Sequence, residues 1–233
     1  MIQERKLLLP TILALMGIAV LCGLGAWQLD RKEWKDNLVA ELEAAFASEA
    51  APFFSEDLDA TFDFKRGTLA GEYDFSKQIF IAPRVYKNMP GKHVYTPLRL
   101  EDDSYILVNR GWVPVDWQAG NETPEAQKSV QDTARNGALT GLALLPERND
   151  FTPENKPAEE AWYFADADEI AAAKNIPDMH GRIFLLESVE TEGDYPIPQG
   201  HMPGLPNDHL QYAVFWFTMA GILAIMYVLR FLR

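Results

Sequence analysis

The sequence has one cysteine, Cys22, in 233 residues. A single thiol excludes an intrachain disulfide and any metal site built on cysteine pairs. Bases are scarce as well: 21 Lys and Arg stand against 34 Asp and Glu, a formal charge of −13. Nucleic-acid binding needs clustered Lys and Arg to neutralise phosphates, so that class is set aside. The chain has no Gly-rich phosphate loop, no G-x-S-x-G elbow, no H-E-x-x-H pair and no C-x-x-C. None of His93, His180, His201 and His209 pairs with another at i+3 or i+4, so no helix displays a ready bidentate metal site. His93 and His180 adjoin glycines and read as surface or turn residues. The acids invite a two-carboxylate hydrolase, yet the runs at 56–59 and 101–103 read as solvated surface. No residue takes a catalytic role, and the chain is not read as an enzyme.

What is present is an uneven distribution of charge. The stretches 1–29 and 210–233 hold four bases and one acid, which leaves 17 bases and 33 acids between them. Residues 7–29 and 210–229 carry no charge at all. The first run, at 1.5 Å per helical residue, covers about 34 Å against a hydrocarbon core of about 30 Å. Both runs read as membrane spans. The first is too long for a typical signal-peptide core and no A-x-A site follows it. Leu21 before Cys22 is too bulky for a bacterial lipobox, so Cys22 reads as a small packing residue. A basic, acid-poor transit leader is lacking, and a bacterial inner membrane is expected.

Arg5, Lys6, Arg230 and Arg233 favour cytoplasmic ends, against Arg31, Lys32 and Lys35 just past the first span. The expected order is a cytoplasmic 1–6, a span at 7–29, a periplasmic domain at 30–209, a span at 210–229 and a cytoplasmic 230–233. Such a multi-pass protein contacts membrane lipid and no nucleic acid.

Trp34, Leu38, Leu42 and Phe46 recur at i+4, so the first helix is expected to continue to about Ala47, with Pro52 stopping it. Strands are expected at 61–69, 78–82, 94–100, 105–113, 138–144 and 183–188. Phe62 and Phe64 alternate around Asp63, as on a half-buried strand. Ile106, Leu107 and Val108 are contiguous, which suits a strand covered on both faces. A short helix is expected at 165–174, ended by Asn175-Ile176-Pro177. The stretches 118–136 and 146–161 read as loops, and no internal repeat is evident. The fold class is therefore a membrane protein with two transmembrane α-helices flanking one α+β, mainly antiparallel β domain, barrel-like or sandwich.

The mouth of the second span reads Pro206-Asn207-Asp208-His209-Leu210-Gln211-Tyr212. Asn207 is a plausible N-cap, with Asp208 facing the positive helix end. His209, Tyr212, Ala213 and Trp216 share one helical face. On the first span Trp27, Arg31 and Trp34 share a face, with Gln28 beside them. If the spans pack together, an imidazole, two indoles and a cation meet at the membrane surface. A flat apolar anion fits such a site, with an axial nitrogen, aromatic walls, and Arg31 or Lys35 for carboxylates. An interfacial histidine beside an aromatic belt, with cations snorkelling to phosphates, gives the same pattern. Pattern alone leaves both readings open.

Several segments in order resemble the Surfeit locus protein 1 family of cytochrome c oxidase assembly factors. They are Gly23-Leu24-Gly25-Ala26-Trp27-Gln28 with Arg31, Trp34 and Lys35; Gly71-Glu72-Tyr73-Asp74; Ala82-Pro83-Arg84; and Tyr95-Thr96-Pro97-Leu98. Leu107-Val108-Asn109-Arg110-Gly111-Trp112-Val113-Pro114, Phe151-Thr152-Pro153-Glu154-Asn155, Trp162-Tyr163 and Pro206-Asn207-Asp208-His209-Leu210-Gln211-Tyr212-Ala213 with Trp216 follow. The chain departs from the family at Ala165 and across Gln199-Gly200-His201-Met202, where members often carry Arg. His201 is the alternative second ligand or cation there.

The resemblance implies a factor that binds haem a as cargo and helps place it in the largest oxidase subunit, with haem a synthase as a further partner. It implies His209 as the residue at the haem iron. Trp27, Gln28 and Arg31 match the first-span motif, and Asn109, Arg110 and Gly111 match a loop-strand motif. On this reading Trp27, Tyr212 and Trp216 line the cargo, and Arg31 with Arg110 or Lys35 meets the propionates. The alternative is a membrane-anchored scaffold that holds assembly intermediates without carrying haem.

Overall fold

The computed structural model describes residues 2–59, 62, 64–137, 139–146, 148, 150–188, 195–199 and 207–231, with side chains from residue 7 onward. The chain divides into two compact units, one of residues 1–41 and 204–233 and one of residues 42–203.

The first unit is a helix pair. Helix α1 (Ile2–Ala47) runs through the first apolar stretch and on to Ala47, as the i+4 pattern requires. Helix α5 (His209–Phe231) holds the second stretch. Both are long and apolar enough to cross a membrane, where a helix satisfies every backbone polar group within itself. Two glycines on α1 set how closely the pair packs. A Cβ on Gly25 would come 2.7 Å from the Phe217 ring, and one on Gly17 would come 2.9 Å from Leu223 Cδ2. Eight residues apart, the two lie on one face of α1, and α5 answers with the buried small residues Ala213 and Ala220.

The second unit is one open mixed sheet. Its strands are β1 (Ala51–Pro52), β2 (Phe64–Leu69), β3 (Glu72–Tyr73), β4 (Ile79–Tyr86), β5 (Met89–Arg99), β6 (Tyr105–Pro114), β7 (Leu139–Leu144) and β8 (Met179–Ser188). The order is β1-β2-β7-β8-β6-β5-β3, and β4 also pairs with β5. Pairing is mainly antiparallel, as expected, with β1·β2 and β6·β8 parallel. The barrel-like or sandwich expectation gives way to a single open sheet with a core on each face. The parallel β6·β8 pair explains why, since it demands a long crossover that carries helices onto the faces.

Helix α3 (Pro124–Arg135) buries Val130 and Ala134 in the core that holds Ile106 and Val108. Helix α4 (Ala167–Lys174) buries Ile170 in the core that holds Leu107 and Ile183. The Ile106-Leu107-Val108 run is thus covered on both sides, as its contiguity predicts.

Helix α3 falls where a loop was expected. Its buried stripe is small and polar (Val130, Gln131, Ala134), so no run of large apolar residues marks it. The signal lies instead at Thr123-Pro124. The Thr123 hydroxyl accepts from Ala126 N and Pro124 opens the helix, a recognisable start. In α4 the Asp166 carboxylate accepts from Glu169 N, and Asn175 ends the helix in the left-handed region. The short strands β1 and β3 and the single-turn helix α2 (Ser55–Leu58) are too brief for periodicity to mark. Phe62 packs against the core beside β2, while Asp63 lies outside the described residues.

Candidate functional site in the helix pair

The two apolar helices meet through paired contacts along their length. Thr11 bonds Tyr227 near one end, and Gly17 and Gly25 admit Leu223 and Phe217 in the middle. Toward the other end His209 Nδ1 lies 2.7 Å from Gln28 Oε1, and Asn207 Nδ2 donates to Asp36 Oδ1 at 2.8 Å. Helix α5 begins at His209, and the Asn207 side chain is drawn across to Asp36 instead of capping the helix. Its Oδ1 is buried without a partner in the described structure.

The Gln28–His209 bond fixes the imidazole chemically. A carbonyl oxygen only accepts, so Nδ1 is the donor in this bond, and of the two neutral tautomers it selects the one whose free base is Nε2. One nitrogen is thus held by the protein, as metal-ligating histidines generally are. Gln28, Asp208, His209 and Tyr212 line a recess of about 280 Å³. Among the described residues no group of three or more His, Cys, Asp or Glu is placed to enclose a metal ion.

Beside this recess α1 presents the aromatic and cationic stripe. The Arg31 guanidinium carbon sits 5.8 Å from the ring centres of both Trp27 and Trp34. Both indoles are about half exposed, at 48% and 55%, so Arg31 is braced by two rings while its edge stays accessible. Lys32 is engaged with Asp36, and Lys35 lies one turn beyond Arg31. On α5, Tyr212 stands in the recess, whereas the Trp216 ring packs edge-on against Phe215 at 5.3 Å. The structure therefore brings together His209, Gln28 and Tyr212, and separately Trp27, Arg31 and Trp34.

Arg110 belongs to the sheet unit and is bound internally. It is 2% exposed, forks onto the Glu122 carboxylate, and reaches Gln78 Oε1 at 3.2 Å. The rings of Phe75 and Tyr73 cover it at 5.1 and 5.6 Å. The neighbouring motif residues also have local roles. The register of β5 on β6 shifts beside Gly111, and Asn109 Oδ1 accepts from Gly111 N at that bulge. Gly111 has φ +133°, and a Cβ there would meet Ile197 O at 2.1 Å. That strand crossing is closed by Trp112 N donating to Ile197 O at 2.7 Å and Ile197 N to Trp112 O at 2.8 Å. The Asn-Arg-Gly run is thereby explained as a bulge with a buried ion pair.

The other histidines divide. His201 lies outside the described residues. His93 is no turn residue; it sits within β5, bonded through Nδ1 to the Asn109 amide at 3.2 Å. Burial, reinforced by the Arg84 charge, lowers its pKa to about 4. His180 is also no surface residue, its side chain being 10% exposed. Ser104 Oγ, His180 and Asp59 stand in hydroxyl, imidazole, carboxylate order, at 3.1 and 3.0 Å. The Ser104 hydroxyl, however, donates to Asp102 at 2.6 Å. Asp102 is held at a pKa of about 2 by the Ser104 and Ser55 hydroxyls, which makes it a poor base. The Asp59 side chain is 75% exposed. This cluster staples β8 to the turn before β6 and is not an activated nucleophile.

A membrane-anchored protein, with a mixed-sheet domain and an oriented histidine where its two apolar helices meet, is the class these features define. A model of the SURF1 family matches residues 15–221. The chain is 28% identical to Surfeit locus protein 1 of Homo sapiens, over 91% of this chain and 74% of that protein. It is 30% identical to a SURF1-like protein of Monosiga brevicollis, over 94% and 86%. With Surfeit locus protein 1 of Rattus norvegicus it shares 26% over 91% and 72%. The chain belongs to the SURF1 family.

Proposed function

We propose that this protein assists assembly of a haem–copper cytochrome c oxidase by carrying haem a to the largest oxidase subunit. Haem a synthase supplies the cargo. The protein resides in a bacterial inner membrane, with its sheet unit in the periplasm and its termini in the cytoplasm, as the Arg5, Lys6, Arg230 and Arg233 charges favour. It catalyses no turnover.

The observation that carries this reading is the Gln28–His209 hydrogen bond. It sets the imidazole in the tautomer that presents Nε2 to iron, at the mouth of an apolar helix pair. His209 is the axial base, Tyr212 borders the macrocycle, and Trp27 offers an indole face beside it. Arg31, held between two rings, meets a propionate, with Lys35 one turn further on. Arg110 is not part of this site, because Glu122 already occupies its guanidinium. Trp216 packs edge-on against Phe215, two turns along α5 from His209.

A carrier has to release its cargo, and one neutral ligand with a braced cation suits moderate affinity and fast release. The test is the absorption spectrum of detergent-purified protein. His209→Ala is expected to lose the haem bands, and Gln28→Leu to weaken haem binding about 10- to 100-fold by freeing the ring. Haem retained in full by both variants would leave a scaffold that holds oxidase intermediates.

A further inference from the structure

The end of the helix pair away from His209 holds a second feature, a groove of about 700 Å³ between the two apolar helices. Pro10, Leu13 and Ala14 of α1 line one side, and Leu223, Tyr227 and Arg230 of α5 line the other. Their spacings of three, four and seven make each wall a single helical face. Leu223 lies against Gly17 and bounds the groove toward the middle of the pair. Arg230 stands two turns further along α5, about 10 Å by helical rise.

The polar groups along the groove divide into one that is spent and one that is open. The Thr11 hydroxyl donates to Leu7 O at 2.7 Å, so in its contact with Tyr227 the phenol is the donor. The Tyr227 proton is thereby used inside the pair. Arg230 makes no hydrogen bond or ion pair among the described residues; its one printed neighbour is the Phe231 ring, 5.3 Å away. The uncharged residues 210–229 before it cover about 30 Å, the thickness of a hydrocarbon core, which sets Arg230 at the level of the lipid phosphates. Arg5 and Lys6 fall in the first two turns of α1, at the same end of the pair. Glu4 is the only acid within residues 1–29 and 210–233.

The lining selects the occupant. A second helix would pack through small residues that let two backbones approach. The exposed lining here is long and flexible instead, with Leu13, Met226 and Leu229 at 59%, 58% and 50% exposure. A wholly apolar molecule would leave the Arg230 charge unanswered. A phospholipid answers both features, with an acyl chain along the groove and a phosphate at the guanidinium. A zwitterionic headgroup brings its own ammonium to an end of the pair already rich in cations, whereas an anionic one complements it; basic recesses between membrane helices hold anionic headgroups on the same principle. We infer that the groove retains one anionic phospholipid per chain, its acyl chain between α1 and α5 and its phosphate on Arg230. The site rests on the membrane-spanning reading of the two helices and is independent of the haem-carrying role.

Native mass spectrometry of the full chain in detergent tests it, with phosphatidylglycerol and phosphatidylcholine of identical acyl chains added in equal amounts. One phosphatidylglycerol is expected to stay on each chain, favoured at least about fivefold over phosphatidylcholine. Arg230 is exposed, so Arg230→Gln leaves the packing alone. It is expected to cut that preference about fivefold, while Arg230→Lys keeps most of it. Ala14→Phe fills the groove without touching a charge and is expected to lower retention of both lipids several-fold. Resistance of each variant to carbonate extraction from membranes reads the spans separately. Equal retention of the two lipids, a preference unchanged in Arg230→Gln, or retention unchanged in Ala14→Phe would overturn the proposal. So would a dimer that Ala14→Phe dissociates, since a second chain would then fill the groove.

Discussion

The Arg110–Glu122 pair lets structure and function be separated at one residue. Both side chains are 2% exposed, so neither charge can be rehydrated without opening the sheet unit. Replacing Glu122 with Gln leaves a buried guanidinium facing a neutral amide, with Gln78 Oε1 as its one other acceptor among the described residues. Breaking a buried pair from one side costs about 3–5 kcal/mol, because the surviving charge is left uncompensated. For a unit of this size each kcal/mol moves the melting temperature by about 2–4 °C, so the expected fall is roughly 6–20 °C. Thermal unfolding of the full chain in detergent, followed by near-UV circular dichroism, measures it. Replacing both partners together, as Arg110→Met with Glu122→Leu, removes the charges and keeps the volume, and it is expected to recover most of the loss. The double variant is also expected to bind haem like wild type, since Arg110 lies outside the proposed cargo site. A fall under about 1 kcal/mol for Glu122→Gln would refute the reasoning. So would a double variant no more stable than the single one.

Other outcomes follow from the same geometry. Gly25→Val would drive a branched side chain into Phe217 and cost about 1–3 kcal/mol of helix-pair packing. Haem content should fall with it and recover with Phe217→Ala, and a variant indistinguishable from wild type would count against the packing. Gly111→Ala should fail to fold or melt far below wild type, because Ile197 O occupies the space its Cβ needs. Normal yield and melting would contradict the bulge assignment. His93 has its folded pKa lowered from 6.5 to about 4, so the unfolded chain binds the extra proton between those values. Stability from this group is present above about 6.5 and is lost as pH falls toward 4, by up to about 3 kcal/mol. Denaturant melts of wild type and His93→Asn at pH 7.5 and 4.5 compare it, and an equal pH loss in both would remove His93 as the cause.

Much of this was legible in the sequence because hydrophobicity wrote it there. The uncharged runs and the i+4 series from Trp34 to Phe46 placed both long helices, and the contiguous Ile106-Leu107-Val108 placed the central strand. Helix α3 was hidden because Gln131 and Ala134 bury little apolar surface. The open sheet was hidden because pairing partners far apart in sequence leave no periodic trace, so β6 beside β8 cannot be read from either strand. At the candidate site the residue types were legible and their partners were not. Trp27, Arg31 and Trp34 share a stripe by spacing alone, but Gln28 facing His209 depends on how α1 and α5 pack. Arg110 looked like a free cation from sequence, since nothing local tells that Glu122, twelve positions on, folds back over it. His93 and His180, each beside a glycine, looked like turns; their strands extend further than the apolar residues alone indicate.

The central claim is that His209, oriented by Gln28, is the axial base for a haem cargo. Purifying the full chain in detergent from cells that make haem a, and measuring haem per protein for wild type and His209→Ala, tests it most directly. The account expects haem bands in the wild type and their loss in the variant, with the α-helical content unchanged. Equal haem in both proteins, or none in either, would contradict it.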